Sequence, residues 1–411
     1  MKKFKHTLKT VKALILGWAV IIPLIHLLPL KKNLVLFIGK NNGSFFDNVK
    51  YLYLYLHRLN RKDIKYYFFT EKQSVYNMLK CHNLPVLFHP TLRSIYALAC
   101  SNIIISCNMA WIKNYKYHLS VRAKKIQLWH GVPLKKIGML VNDSLKKHNS
   151  LLARIDNAIR GKNCIHDLFL STSDYFTVNI FSKAMRAKRF IELGYPRNSI
   201  FFKGQLDKLD FLDADVQSLE KITEFQKKGF KCVCYAPTWD DPMGNAIQSG
   251  YLDLKRLSKF AQEHKILFVF KFHPSINCKN EFGLLSNIIY YNSSKDIQPL
   301  LRVTDILVTD YSSVYMDYLL LNRPIIFFPY NLDGYLKAHN GLLFDFNSMA
   351  PGPKCYSQEQ LHEAILDCTA GQKDDFADDR GQIRKLAFKY EDGRASERIW
   401  DFIMKEYMEV P

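Results

Sequence analysis

The sequence predicts an α/β protein with two parallel β-sheets, each covered by helices on both faces. Short apolar segments typical of buried strands alternate with segments of helical apolar spacing along most of the 411 residues. The alternation falls into two sets separated by a polar stretch, and a chain of this length exceeds one ordinary hydrophobic core. Polar residues directly follow several predicted strands, where parallel sheets bind their ligands.

The composition is that of a basic globular protein. Hydrophobic residues make up 48% of the chain and aromatic residues 14%, which excludes a disordered protein. The formal net charge of +20 requires a negatively charged partner, and nucleic acid, anionic lipid and phosphorylated substrates all qualify. Because the aromatic residues fall inside apolar segments instead of among basic clusters, we expect no nucleic-acid partner.

The cysteine and aspartate patterns predict neither a metal site nor a cofactor. The nine cysteines form no CxxC pair and are interpreted as reduced thiols of a cytosolic protein. Asp213-Ala214-Asp215 lies in the polar stretch and is interpreted as a linker, not as a DxD metal motif. No GxGxxG follows the first strand, and no Walker loop is present.

Residues 1–32 are predicted to associate with a membrane. Five lysines precede Ala13–Leu30, an apolar run that barely reaches the length of a bilayer span, about 20 residues. Lysines on both sides and two prolines suit a segment lying in the cytoplasmic interface as well as one that crosses the bilayer. An ordinary buried first helix is a third interpretation, which leaves the basic flanks without a role.

The first set of elements, residues 33–220, forms the predicted N-terminal domain. Its first strand, Leu34–Ile38, runs into the polar loop Gly39–Asn48 and is followed by a helix at Tyr51–Leu59. The further strands predicted here are Ile64–Phe69, Ile103–Ser106, Lys125–Trp129 and Leu168–Ser171.

The second set, residues 221–411, forms the predicted C-terminal domain, whose last helix is expected to pack back on the first domain. Its predicted strands are Cys232–Ala236, Ile266–Phe272, Ile288–Tyr291, Asp305–Thr309 and Pro324–Phe328. Between the sets lies Asp207–Lys228, which is rich in charged residues and glutamine. We place the domain boundary in this stretch.

The stretch Asp305–Tyr318 is the strongest candidate for a binding site. A short apolar strand is followed by Thr309, Asp310, Ser312 and Ser313, and then by a segment with helical spacing. The hydroxyls and the N–H groups of a helix start together predict a cradle for phosphate or pyrophosphate. The alternative is that Asp310 or Ser312 only caps the helix.

Two histidines follow predicted strands, one in each set. His130 lies in the motif QLWHG, where Gly131 permits an abrupt turn, and His273 lies in the motif KFHP. An isolated histidine at a strand end is more often structural than catalytic. The presence of one such histidine in each half of the chain favours catalysis, because the ordinary pKa of histidine lies near neutral pH and suits a general base.

Three further residues complete the predicted phosphate site. Thr238, in the motif YAPTW, follows a strand and is placed to donate to phosphate. Lys271 is expected to share a strand face with His273 and to supply a cation, since residues two apart point to the same side. Asp317 lies in the helix after the cradle. The alternative for Lys271 is a solvated lysine at a strand end, and the alternative for Asp317 is an exposed helix residue.

A series of motifs runs along the chain from about Asn33 on. They are QLWHG with Pro133 and Lys135 behind it, Gly194-Tyr195-Pro196-Arg197-Asn198, YAPTW, KFHP, VTDYSS with Asp317, Arg323-Pro324-Ile325-Ile326, Asp345-Phe346, Pro351-Gly352-Pro353 and Asp392-Gly393-Arg394-Ala395-Ser396-Glu397-Arg398. In this series the sequence resembles the CDP-glycerol glycerophosphotransferase family, the teichoic acid primases and polymerases, which has further members in capsule and surface-polysaccharide synthesis.

The resemblance implies a fold and a reaction. The implied fold is two Rossmann-like domains facing across a cleft, as in GT-B glycosyltransferases, and the protein is expected at the cytoplasmic face of the cell membrane, peripheral or held by a single span. The implied reaction is attack of a hydroxyl on a lipid-linked or surface glycan at the β-phosphorus of a CDP-alcohol, most simply CDP-glycerol, with release of CMP. No metal is implied.

The resemblance also assigns roles by position. His130 would be the base on the acceptor side, and His273 would hydrogen-bond the pyrophosphate. The residues that would hold the phosphates or lie beside them are Thr238, Thr309, Asp310, Ser312 and Ser313. Two positions depart from the family pattern, because Asp240 and Asn340 stand where an arginine is common. Both departures leave the alcohol open, so CDP-ribitol or another CDP-alcohol is an alternative donor.

Lys146–Lys162 is predicted to contain an amphipathic helix with basic flanks, because Leu151, Leu152, Ile155 and Ile159 recur at helical spacing. Such a helix is suited to an anionic membrane surface beside a polyprenyl-linked acceptor. Packing on its own domain is the alternative that the pattern slightly favours.

Two other functions stay open at this point. A nucleotide-sugar glycosyltransferase of the GT-B type would share the fold but would usually release a nucleoside diphosphate. A basic membrane scaffold or nucleic-acid binder would leave both strand-end histidines without a role, and its signature would be salt-dependent binding of nucleic acid.

Overall fold

The computed structural model describes residues 10–141, 151–238, 244–273, 276, 282, 285–338, 341–370 and 374–408. The chain divides into two units. The first unit comprises the chain up to His130, Gly138–Ser199 and the chain from Asp392 on. The second unit comprises Gly131–Ile137 and Ile200–Glu391.

The first unit is built on a seven-stranded sheet in which all neighbouring strands are parallel, in the order β3-β2-β1-β4-β5-β6-β7. Its strands are β1 (Lys31–Ile38), β2 (Lys65–Thr70), β3 (Val86–Phe88), β4 (Ser101–Ser106), β5 (Lys124–Gln127), β6 (Leu168–Ser171) and β7 (Phe190–Glu192). Its helical segments are Ala13–Ile21, Ile22–His26, Lys40–Gly43, Asp47–Leu59, Gln73–Cys81, Leu92–Cys100, Ala110–Ile112, Lys116–Leu119, Gly138–Leu140, Leu151–Ile159, Asp174–Phe176, Thr177–Phe181, Ser182–Ala184 and Ala395–Tyr407. The second half of β1 is an unbroken buried apolar run, as expected where helices cover both faces of a parallel sheet.

The second unit is built on a five-stranded parallel sheet in the order β10-β9-β8-β11-β12. Its strands are β8 (Lys231–Tyr235), β9 (Ile266–Phe270), β10 (Ile288–Tyr290), β11 (Ile306–Thr309) and β12 (Ile325–Phe327). Its helical segments are Val216–Lys227, Leu254–Glu263, Gln298–Val303, Val314–Tyr318, Leu319–Leu321, Leu332–Ala338, Phe346–Met349, Gln358–Thr369 and Ala377–Ala387, and Pro196–Phe201 joins the two units. The core of this unit forms where β8, β9 and β11 pack against the helices Leu254–Glu263 and Gln358–Thr369.

The predicted class of α/β protein with parallel sheets is confirmed, and each strand predicted from the sequence overlaps an observed one. The pattern misses two strands, β3 and β7. Each has three residues and lies at an edge of the seven-stranded sheet. So short an edge strand leaves no apolar run that differs from a loop.

The division of the chain differs from the one expected near residue 220, because the chain passes from the first unit to the second after Ser199. Residues before 220 already bind partners in the second unit: Lys295 Nζ donates to Asp213 Oδ1 at 2.9 Å, and Arg302 Nη2 donates to Gly204 O at 3.0 Å. The helix Ala395–Tyr407 belongs to the first unit. A charged composition therefore does not by itself make a linker.

The N-terminal apolar segment is helical over Ala13–Ile21 and Ile22–His26 and packs on the first unit. Trp18 Nε1 donates to Ile159 O at 2.9 Å, and Arg122 Nη1 donates to Leu28 O at 2.8 Å. Among the residues that the structure describes, no helix is both long enough and apolar enough to cross a bilayer.

Candidate active site

Thr238 and Asp310 lie at the topological switch point of the second sheet, where the strand order changes direction, and His130 follows β5, one strand away from the switch point of the first sheet. In the first sheet this point lies between β1 and β4, and in the second between β8 and β11. Connections after neighbouring strands leave towards opposite faces there, which opens a crevice at the carboxyl ends of the strands. Each unit therefore carries its own candidate site.

In the first unit the imidazole of His130 is held in one tautomer. Its Nδ1 lies 2.8 Å from Cys107 O, the carbonyl that follows β4. Because a carbonyl only accepts, Nδ1 carries the proton and Nε2 keeps its lone pair. The ring is half-buried, with the Trp129 ring 4.1 Å away between centroids. Trp129 (φ 57°) and Gly131 (φ 140°) form the abrupt turn that the glycine predicted.

The loop after β1 supplies a carboxylate to this site, which sequence reasoning missed. Asp47 Oδ1 accepts from Arg197 Nη1 at 2.9 Å, and Asp47 Oδ2 lies 3.2 Å from Lys40 Nζ. The same Arg197 nitrogen donates to His130 O at 2.9 Å. The sequence does contain a feature that could have identified these residues, because each lies in a polar segment. Asp47 lies in the loop Gly39–Asn48 after β1, and Arg197 lies in the motif that begins at Gly194.

The neighbouring Asn48 fixes the backbone on both sides of the site. Its amide nitrogen donates to Leu128 O at 3.3 Å and to Trp129 O at 3.1 Å, and its Oδ1 accepts from Arg197 N at 3.1 Å. Asn48 is fully buried. The turn that presents His130 is therefore held rigidly against the helix Asp47–Leu59.

The protonation states in this cluster differ from the sequence-based expectation of a histidine pKa near neutrality. Burial, assisted by the cation of Lys40, lowers the pKa of His130 to about 4, although Asp47 opposes the change. Burial alone would raise the pKa of Asp47, but Arg197 and Lys40 hold that pKa far below its usual range. At neutral pH the site thus combines a neutral imidazole with an ionised carboxylate.

This electrostatic arrangement predicts how His130 titrates. A cation opposes protonation of the ring, so removing it with Lys40→Met is expected to raise the pKa of His130. The measurement is the pH dependence of the His130 ring signals in NMR of histidine-labelled protein. We expect a midpoint near pH 4 for the unmodified chain and a higher midpoint for the variant. Lys72→Met, which removes a lysine bonded to Ser44 Oγ at 2.7 Å, is the control; equal midpoints in all three proteins would refute the prediction.

In the second unit Asp310 ties the end of β8 to the end of β11. Its two carboxylate oxygens lie 2.9 and 2.8 Å from Thr238 N, and one of them accepts from Ser312 N at 2.9 Å. Thr309 Oγ1 donates to Ala236 O at 2.7 Å, and both Thr309 and Asp310 are fully buried. The Asp310 carboxylate would repel a phosphate, and the Thr309 hydroxyl already donates to Ala236 O, so we interpret both residues as supports instead of ligands.

Lys135 brings a cation to this unit, although it follows His130 in the chain. The segment Gly131–Ile137 pairs with the second unit, where Leu343 N donates to Leu134 O at 2.8 Å. Lys135 Nζ donates to Thr238 Oγ1 at 2.8 Å and lies 4.8 Å from the centroid of the Tyr335 ring. In the sequence Lys135 is a residue that follows the motif QLWHG, but the sequence pattern alone does not reveal its hydrogen bond to Thr238.

The two cradle serines are partly accessible, but the helix behind them is short. Ser313 is the N-cap residue of Val314–Tyr318, a helix of five residues, and its side chain makes no capping hydrogen bond. So short a helix has a weak dipole, which leaves the hydroxyls of Ser312 and Ser313 as the main donors. Asp317 is buried within the helix and accepts from Gln298 Nε2 at 3.2 Å. The alternative of an exposed helix aspartate at Asp317 is therefore wrong.

Lys271 and His273 do not share a strand face, because β9 ends at Phe270. Lys271 is buried, and its Nζ donates to Ser293 O at 2.6 Å, towards the loop after β10. Burial lowers the pKa of Lys271 to about 8, and Asp296 only partly offsets the effect. His273 is exposed. The structure thus brings Thr238, Thr309, Asp310 and Ser312 together and directs Lys271 elsewhere.

Some sequence-based interpretations lie outside the described residues. Trp239 of YAPTW, Pro274 of KFHP and the two departures at Asp240 and Asn340 are among them. Within the described ranges, no three histidine, cysteine, aspartate or glutamate side chains come together as metal ligands would.

Parallel sheets with polar side chains at the carboxyl ends of their strands, an imidazole in one unit and hydroxyls with a lysine in the other, are typical of enzymes that bind a phosphorylated ligand. The chain belongs to the CDP-glycerol:poly(glycerophosphate) glycerophosphotransferase family, whose model matches residues 20–405. It is accordingly a transferase, and the resemblance drawn from the motifs is confirmed.

Relatives and a solved structure agree with this family. The chain is 28% identical to the teichoic acid glycerol-phosphate transferase of Staphylococcus aureus (strain NCTC 8325 / PS 47) over 391 residues, which cover 91% of this chain and 93% of that protein. It is 30% identical to the teichoic acid glycerol-phosphate primase of Bacillus subtilis (strain 168) over 322 residues, 76% of each chain. A structure of the wall teichoic acid polymerase TagF matches with a TM-score of 0.71 at 22% identity, over 99% of this chain and 98% of that one, so the fold is shared.

Proposed function

We propose that this chain transfers glycerol phosphate from CDP-glycerol to a hydroxyl of a lipid-linked or surface-glycan acceptor, in the synthesis of a teichoic acid-like or capsule polymer. The observation that carries the proposal is the tautomer of the His130 imidazole after the carboxyl end of β5, in a chain of this family. Cys107 O holds its Nδ1–H at 2.8 Å, so Nε2 is the nitrogen that can take a proton.

In the proposed reaction the acceptor oxygen attacks the β-phosphorus of CDP-glycerol. A new oxygen–phosphorus bond forms while the bond from that phosphorus to the bridging oxygen breaks, and CMP leaves with the electron pair. Nε2 of His130 takes the acceptor proton. The ionised Asp47 stabilises the imidazolium that results, because it opposes the lowering of the pKa of His130.

The second unit would bind the donor in this proposal. The residues that would donate hydrogen bonds to the pyrophosphate of CDP-glycerol are Thr238, Ser312, Ser313, His273 and Lys135. Positive charge and hydrogen-bond donors stabilise the charge that develops on the leaving CMP. Asp310 and Thr309 position these groups, whereas the buried Lys271 and Asp317 support the loops behind them.

Lys135 is expected to matter for donor binding. A charge-assisted hydrogen bond contributes about 1.5 to 3 kcal/mol, so Lys135→Met should raise KM for CDP-glycerol by about 10- to 100-fold. Lys259→Met removes an exposed lysine from the helix Leu254–Glu263 of the same unit and should leave KM unchanged. Steady-state kinetics with both variants test this, and an unaltered KM in Lys135→Met would remove Lys135 from the donor site.

The experiment that tests the function is nucleotide release by the purified full chain. It is offered CDP-glycerol, CDP-ribitol and a panel of nucleotide sugars, with a crude lipid extract as acceptor. Acceptor-dependent release of CMP from CDP-glycerol supports the proposal, and CMP from CDP-ribitol alone would correct the alcohol. Consumption of a nucleotide sugar alone would refute phosphate transfer and favour the glycosyltransferase alternative.

We further propose that the N-terminal helix lies on the cytoplasmic surface of an anionic membrane. The large apolar side chains it exposes are Val11, Leu14, Ile15, Leu16, Trp18, Val20, Leu24, Leu27 and Leu30. Its buried residues are mainly small, Ala13 and Gly17, with Ile25. Ile155 of the adjacent helix Leu151–Ile159 is 46% exposed. An exposed apolar surface on a chain with net charge +20 suits the interface of an anionic bilayer.

Removing part of this surface is expected to weaken membrane binding. Leu24→Ser/Leu27→Ser exchanges two side chains that are 56% and 82% exposed. Since burying a leucine contributes about 1.5 to 3 kcal/mol, binding should fall at least about tenfold. Cosedimentation with phosphatidylglycerol vesicles measures it. Leu59→Ser/Val178→Ser, at 41% and 62% exposure elsewhere in the first unit, is the matched control; equal loss in both variants would contradict the assignment.

A further inference from the structure

A cavity of about 460 Å³ lies in the first unit at the edge of the sheet opposite to His130. Lys31 begins β1 and Lys65 begins β2, and both line the cavity, whereas His130 follows the carboxyl end of β5. The lining also includes Leu87, which pairs with Phe69 near the carboxyl end of β2, so the cavity extends along the strands, but none of its lining residues belongs to the candidate active site. The cavity is therefore distinct from the candidate active site.

The cavity is lined by cations and tyrosines. Lys31, Lys65 and Arg93 are its cations, and Tyr66, Tyr67 and Tyr96 form walls. Its other lining residues are apolar, so no carboxylate faces it. In the part of the chain that the structure describes, none of the three cations has a carboxylate partner. The nearby carboxylate of Asp63 pairs with Arg61 instead.

Two of the cations are ordered by the aromatic walls. Lys31 Nζ lies 4.6 Å from the centroid of the Tyr96 ring, and the Arg93 guanidinium carbon lies 5.5 Å from the centroid of the Tyr67 ring. Arg93 Nη2 also donates to Tyr67 OH at 3.4 Å. Cations stacked on rings lose less side-chain freedom when they bind an anion. The cavity is thus prepared to receive negative charge beside an aromatic surface.

We propose that this cavity binds a glycerophosphate diester, in which one phosphate meets the cations and the glycerol carbons pack on the tyrosines. The choice of ligand rests on the proposed function. A glycerol phosphate polymer and the head group of phosphatidylglycerol share the unit glycerol–phosphate–glycerol, so either source supplies this chemistry. A site that shares no lining residue with the candidate active site would hold a part of the acceptor that does not react.

The test measures binding, not transfer. Glycerophosphoglycerol is the soluble probe, titrated into the full chain by calorimetry, with inorganic phosphate titrated separately. Lys31→Gln/Arg93→Gln is expected to weaken diester binding at least about tenfold. The matched control is Lys80→Gln/Lys228→Gln, because both of those lysines are exposed and lie 5.8 Å from the centroid of an aromatic ring. It should bind like the unmodified chain.

A second arm separates the two sources. Binding to phosphatidylglycerol vesicles that glycerophosphoglycerol displaces supports the head group as the source, and binding of the soluble diester without vesicle competition supports the polymer. Tyr96→Ala, at a ring that is 41% exposed, is a second variant that also should lose diester binding. Absence of diester binding by the unmodified chain, equal binding by the double variant, or inorganic phosphate bound as tightly as the diester would each overturn the inference.

The outcome is separable from that of the proposed function. CMP release with a short soluble acceptor should be the same in Lys31→Gln/Arg93→Gln and in the unmodified chain. A chain that releases CMP but does not bind the diester keeps its function and loses this site. A chain that binds the diester but releases no CMP keeps the site and loses the proposed function.

Discussion

His130→Asn is expected to reduce kcat for glycerol phosphate transfer by about 10²- to 10⁴-fold, the range in which a general base contributes. Asparagine is close in size to histidine and can still donate to Cys107 O, so the turn at the end of β5 should persist. What it lacks is a basic nitrogen in the place of Nε2. The rate should therefore fall while KM for CDP-glycerol stays near its original value.

The control for this variant is His82→Asn. His82 also has its Nδ1 beside a backbone carbonyl, 2.9 Å from Met78 O, but it is exposed and directly follows the helix that ends at Cys81. It should transfer at the original rate. Thermal unfolding of both variants should resemble that of the unmodified chain. Transfer by folded His130→Asn at more than about a tenth of the original rate would show that another group takes the proton.

His273→Ala is expected to reduce kcat by about 10²- to 10³-fold, as does the removal of one donor from the charge that develops in a transition state. Charge grows on CMP as its bond to the β-phosphorus breaks, so the loss should appear in kcat more than in KM. Because His273 is exposed, its replacement should leave the free energy of unfolding nearly unchanged.

His264→Ala is the matched control in the same unit. His264 is also exposed, and its ring lies 4.9 Å from that of Phe260 between centroids. Kinetics with saturating and limiting CDP-glycerol separate kcat from KM for both variants. If His273→Ala alters KM alone, the residue contributes to binding of the ground state and not to the leaving group.

The strands and their ends could be predicted from the sequence because both depend on local patterns. A buried parallel strand is a continuous apolar run, and polar residues directly after it must lie at the ligand-binding edge. His130, Thr238 and Asp310 were found in this way. The edge strands β3 and β7 were missed because three residues carry too little pattern.

The roles of individual polar residues could not be predicted in the same way. Asp310 is predicted to lie beside the phosphates, and only the structure shows that its oxygens accept the N–H groups of Thr238 and Ser312. Lys271 is predicted to supply a cation to the cradle, whereas in the structure its nitrogen donates to Ser293 O. In both cases the partner lies in another segment of the chain, which local spacing cannot identify.

By itself, the sequence determined two parallel α/β sheets, the positions at which strands end, and membership of a glycerophosphotransferase family. Only the tertiary structure decided the protonation state of His130, which depends on burial and on Lys40 from the loop after β1. It also decided that Arg197 holds Asp47, 150 residues away. Strand patterns arise from neighbours in the chain, whereas burial and charge act through space between residues that are distant in sequence.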